Sequence, residues 1–148
     1  MAELKELASL LEAYEAYLDA YRQRVVDNGP FHGLHKFLLG GSTPGDRKAD
    51  RAFYESIEQN VAALRAVLGE TDSPTAARAV RYMLLEAEGT DPSSRLMIEA
   101  TQALAIPLLP WLSDSDRAAI LEEYKARYPK KRMLSPRQRE LLAALERP

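Results

Sequence analysis

The sequence predicts an all-α protein, a single-domain irregular bundle of six to seven helices with a long N-terminal helix. Three observations predict it. Leucines and tyrosines recur at spacings of three and four through the first 25 residues. Four Ser, Thr or Asp residues stand directly before a proline, a combination that starts helices. Nowhere do β-branched residues alternate with period two, so the sequence indicates no sheet. With 148 residues, the chain matches one ordinary domain and can bury roughly 70% of its unfolded surface. We therefore expect one helical domain over residues 1–148, with a basic helical segment at 124–148.

The first helix is the plainest. Leu4, Leu7, Leu11, Tyr14, Leu18, Tyr21 and Val25 form its stripe, and Glu, Lys, Ala, Gln and Arg fill the other faces. Asn28-Gly29-Pro30 stops it, because Asn or Gly takes a left-handed cap and Pro cannot continue. So regular a stripe suits a coiled-coil-like seam inside a bundle, or a surface for self-association through helix 1.

Residues 31–47 carry Gly33, Gly40, Gly41 and Gly45 and both histidines, His32 and His35. A short helix followed by a loop is expected there. Beyond it, the pairs Thr43-Pro44, Ser73-Pro74, Asp91-Pro92 and Ser135-Pro136 announce helices. Ser135 with Gln138 matches a capping box, and Ser113 with Asp116 approximates one. Helices are expected near 46–68, 74–88, 92–106, 114–128 and 136–146. Phe53, Ile57, Val61, Leu64 and Leu68 stripe the first of these, and Ala77, Val80, Leu84 and Ala87 the second. Pro107 and Pro110 interrupt the most apolar stretch, so Ile106 to Leu112 reads as a kinked or extended buried connection.

Composition narrows the chemistry. There is no cysteine, which rules out disulfides, thiolate ligands and cysteine nucleophiles. The acidic opening Met1-Ala2-Glu3-Leu4-Lys5-Glu6 is unlike a secretory signal. The weakly polar run from Ala103 to Leu112 is far short of the roughly 20 residues that span a bilayer. A cytoplasmic protein without membrane contact is expected.

Two segments hold the candidate sites. In the first, His32 and His35 lie three apart, and with Tyr14 and Tyr21 they outline a ligand pocket. Asp27, Asp46 and Asp50 have no diagnostic ligand spacing, so neither a metal nor another cofactor is assigned. Gly40 to Gly45 has the outline of a phosphate loop but is followed by Asp46-Arg47 where Lys and Ser or Thr are required. Arg78, Arg81 and Tyr82 form a smaller basic spot.

The second segment is basic. Residues 1–123 carry a net charge of -8 and residues 124–148 a net charge of +6. Lys125, Arg127, Lys130, Lys131, Arg132, Arg137 and Arg139 fall in the stretch from Tyr124 to Arg139, which has no acidic residue. Such a stretch neutralises phosphates, docks on the acidic remainder of the chain, or meets an acidic partner. The run Leu134-Ser135-Pro136-Arg137-Gln138-Arg139-Glu140-Leu141-Leu142 resembles the opening helix of bacterial helix-turn-helix regulators. That resemblance covers about a dozen residues and implies association with DNA.

No nucleophile, base and orienter fall into one pattern, so no catalytic residue is assigned. The expected function is a non-enzymatic helical module acting by protein–protein contact, as a homodimer or with another protein. Nucleic-acid binding through the basic segment is the first alternative. Small-molecule or metal binding at 31–47 is the second.

Overall fold

In a computed structural model the described residues are 4–28 and 44–147. They form six α-helices and no strand. These are α1 (Lys5–Asn28), α2 (Pro44–Val67), α3 (Ser73–Arg81), α4 (Pro92–Thr101), α5 (Asp114–Arg127) and α6 (Pro136–Glu146). A π-helical turn, Tyr82–Glu86, extends α3, and a 3-10 helix, Gln102–Trp111, extends α4. His32, His35 and residues 40–43 of the expected Gly40 to Gly45 loop lie outside the described residues, as does the capping role expected of Thr43, whereas Pro44 and Gly45 open α2 rather than a loop.

Helices α1 and α2 form an antiparallel pair. Tyr14 meets Phe53 edge-on at 5.3 Å, and Tyr17 stacks on the same ring at 4.1 Å. One turn further along, the Tyr17 hydroxyl donates to Asp50 at 2.8 Å. As numbers rise in one helix they fall in the other. The expected stripe of α1 is buried at Leu7, Tyr14, Leu18 and Tyr21, whereas Leu4, Leu11 and Val25 are only partly covered. Leu10 and Tyr17 replace them in the core. The buried face is therefore wider than a two-position seam, as in a helix packed against several neighbours. Of the two roles expected for this stripe, its buried residues fill that of a seam inside the bundle.

The 3-10 helix is the centre of the bundle. It touches α2, α3, α4 and α6, and Ala103, Leu104, Ala105, Leu108 and Leu109 are buried in it. The kinked or extended connection expected here is thus a helix of tighter winding. Proline's fixed φ fits 3-10 geometry, and residues three apart share a face. Pro107 and Pro110 have that spacing and both are exposed, so the rings sit on the solvent side while the leucines turn inward.

Side-chain caps set three of the six helix starts as the sequence predicts. Asp91 Oδ1 accepts from the Ser94 N–H at 2.9 Å, and the Ser94 hydroxyl accepts from the Asp91 N–H at 3.1 Å. Ser135 and Gln138 make the equivalent reciprocal pair, and Ser113 accepts from the Asp116 N–H. Ser73 differs. Helix α3 already includes it, and the preceding Asp72 turns its carboxylate back onto the Gly69 N–H at 2.8 Å instead of capping the helix.

Tyrosine hydroxyls tie the helices together. Tyr14 shares a 2.9 Å bond with Thr101 of α4, whose hydroxyl also donates to the Ile98 carbonyl. Tyr21 donates at 2.7 Å to Asp91 Oδ2, the oxygen that capping leaves over. Tyr82 donates to Glu15. Burial raises the pKa of Tyr14, Tyr17, Tyr82, Tyr124 and Tyr128; Tyr82 rises to about 12.

Two outcomes test this packing. An added Cβ at Gly89 would overlap the Arg95 backbone nitrogen and stand 2.7 Å from the Ser94 hydroxyl. Gly89→Ala should therefore cost about 2 kcal/mol or more in urea unfolding. The second outcome is alkaline unfolding. A folded pKa above the unfolded value, about 10 for tyrosine, means the folded state keeps protons that the unfolded state releases. Stability is full below about pH 10 and falls as pH rises from there. The tyrosinate absorbance of these five hydroxyls should rise in step with the loss of helical circular dichroism.

Candidate interaction surface at the basic C-terminal segment

The basic segment is built on a buried polar network. Gln102 opens the 3-10 helix at only 2% exposure. Its side-chain oxygen accepts from the Tyr124 hydroxyl at 2.9 Å and from the Gln138 amide at 3.1 Å. Its own amide donates to the Tyr128 hydroxyl at 3.1 Å. Tyr124 and Tyr128 sit at the C-terminal end of α5, and Gln138 in the first turn of α6. One buried glutamine thus holds both flanks of the turn that joins these helices. Within the turn a single 3-10 loop, Lys131–Met133, is closed by the Met133 N–H on the Lys130 carbonyl. Leu134 re-enters the core at 6% exposure.

This frame sorts the seven basic residues into two groups. Four are engaged by the protein itself. Lys125 pairs with Glu146 at 3.4 Å. Arg127 donates to the Leu85 carbonyl, at the end of the π turn, and pairs with Glu88 at 3.2 Å. Arg137 pairs with Glu140 at 2.7 Å, and Arg139 donates to the Arg132 carbonyl at 3.2 Å. Arg127 and Arg139 act on backbone carbonyls, so they hold chain segments in place as well as carrying charge. Lys130, Lys131 and Arg132 are different. All three are exposed and have no ion-pair partner among the described residues. Met133 beside them is 74% exposed.

Two surface grooves meet at this corner. A cavity of about 310 Å³ runs along Glu99, Tyr128, Lys130, Met133, Leu134 and Gln138. A second, of about 360 Å³, is bounded by Gly89, Thr90, Arg95 and Ile98. Both share Glu99, Arg127 and Tyr128 as walls. The sequence did not single out this second groove. The signal that could have found it is the lone Gly89 just before a helix start, which the structure presses against the first turn of α4.

The other candidates are placed elsewhere. Tyr14 and Tyr21, expected in a ligand pocket, are 0% and 2% exposed and line neither groove. The Tyr14 ring lies edge-on between Phe53 and Tyr82, which leaves no space beside it. Their expected companions, His32 and His35, lie outside the described residues. The small basic spot is engaged too, since Arg81 pairs with Glu123 and Tyr82 bonds Glu15. Among the described residues no group of three or more His, Asp or Glu side chains is arranged to hold a metal. No helix there is long and apolar enough to cross a membrane.

Removing the glutamine tests the network. Gln102→Leu leaves Tyr124 and Gln138 buried without their acceptor and should cost about 2–3 kcal/mol. Tyr14→Phe leaves Thr101 bonded to the Ile98 carbonyl and should cost only about 1 kcal/mol in the same denaturant titration.

Compared with known protein families, curated proteins and solved structures, the chain finds no match in any of the three.

Proposed function

We propose that the protein is a non-enzymatic helical module that binds an acidic partner protein through Lys130, Lys131, Arg132 and Met133. The observation that carries this reading is that three exposed cations without ion-pair partners among the described residues project from a turn whose two flanks are anchored. An exposed methionine adjoins them, and a flexible thioether beside charge suits a protein surface better than a phosphate backbone. The footprint is also small. Lys125, Arg127, Arg137 and Arg139, which would widen it toward a nucleic-acid stripe, are bonded within the protein. The groove-lining groups best placed for chemistry are bonded likewise, Arg127 to Glu88 and Tyr128 to Gln102.

Nucleic-acid association is the second reading, favoured by the charge of the same three side chains. One experiment separates the two. The wild-type chain and the triple variant K130E/K131E/R132E are used for affinity capture from nuclease-treated extract, alongside a mobility-shift titration at about 50 mM salt. The proposal expects an acidic protein retained by wild type and lost by the triple variant, with no shift of DNA or RNA. A salt-sensitive shift by wild type with equal protein capture by both chains would contradict it.

A further inference from the structure

We propose that the two adjoining grooves act as one channel for an extended acidic segment of the partner, entering at Arg95 and leaving at Lys130. This rests on the reading of the basic corner above and adds the ligand's shape and charge pattern. The shared walls at Glu99, Arg127 and Tyr128 set the two grooves side by side. Arg95 lines one groove and Lys130 the other, both are exposed, and neither has an ion-pair partner among the described residues.

The middle is different. Glu88 is neutralised by Arg127, while Glu99 lies half-buried with only a long 3.5 Å contact from the Tyr128 hydroxyl. An occupant acidic along its whole length would set a carboxylate against Glu99. The charge pattern therefore selects a segment with carboxylates at both ends and a neutral middle, its backbone N–H groups facing Glu99. Ile98 and Met133 supply apolar wall for a central aliphatic side chain. A chain in the extended state suits a channel lined end to end by side chains from several elements.

The test uses a short fluorescein-labelled peptide with a Glu pair at each end and a central Leu, titrated against the full chain by anisotropy. An all-Glu peptide of equal length and a single-stranded oligonucleotide are run beside it. The expected result is saturable binding of the Glu-Leu-Glu peptide, weaker at higher salt and tighter than for either competitor. Arg95→Ala and Lys130→Ala should each weaken it about threefold, a magnitude typical of exposed charge pairs. Glu99→Gln should weaken discrimination against the all-Glu peptide. All three side chains are outside the core, and helical circular dichroism checks that the variants fold.

If Lys130→Ala weakens binding while Arg95→Ala and Glu99→Gln change nothing, the channel is overturned and the basic corner stands alone. Loss of no binding in any variant, or tighter binding of the oligonucleotide, overturns the acidic-segment reading itself. No saturable binding of the peptide to wild type overturns the channel.

Discussion

The structure depends on burying one apolar segment, Gln102–Trp111, among four helices. A buried chain must satisfy its backbone polar groups internally. The segment does so by winding as a 3-10 helix continuous with α4, its prolines held on the solvent side. Arg117 satisfies two chain ends beside it, donating to the Leu109 carbonyl at 2.8 Å and to the Ala144 carbonyl at 2.9 Å. One guanidinium therefore closes the 3-10 helix and the last turn of α6 together. Gln102, at the other end of the segment, does the corresponding work for α5 and the start of α6.

The candidate surface follows from that arrangement. A basic turn between two helices would ordinarily collapse onto the acidic body, and four of its seven cations do make internal contacts. The remaining three are held away because both flanks are fixed first, by Tyr124 and Tyr128 on one side and by Leu134 and Gln138 on the other. Exposure at Lys130, Lys131 and Arg132 is thus a consequence of buried hydrogen bonds some residues away. Removing the charges and removing the frame are different perturbations, which allows them to be separated by experiment.

Much of the fold was legible in the sequence. The caps at Asp91, Ser113 and Ser135 use side-chain oxygens in a local geometry that any helix start shares, so three or four residues suffice to recognise them. The stripe of α2 was equally plain, because Phe53, Ile57, Val61 and Leu64 keep helical spacing and all four are buried. The partners of Tyr14 and Tyr21 were not legible because a tyrosine has an apolar ring and a polar tip, and its sequence does not show whether the hydroxyl finds solvent, ligand or a Thr101 or Asp91 from a distant helix. The 3-10 helix was missed because prolines are read as breakers of α-helix, and tighter winding that accepts them has no sequence signature of comparable strength. Gln102 was invisible for the same reason as Tyr14: its partners lie 22 to 36 residues away. In the basic stretch, the charge was read directly, but which cations were free depended on carbonyls and carboxylates elsewhere in the chain.

Amide hydrogen exchange on the wild-type and Gln102→Leu chains tests the central claim most directly. The Met133 and Leu134 amides, bonded to the Lys130 and Lys131 carbonyls, should be protected in the wild type. In the variant they should lose protection together with the first turn of α6, while α1 and α2 keep theirs. Unchanged protection of the turn, or an equal loss throughout the chain, would contradict the claim that one buried glutamine holds the basic turn in place.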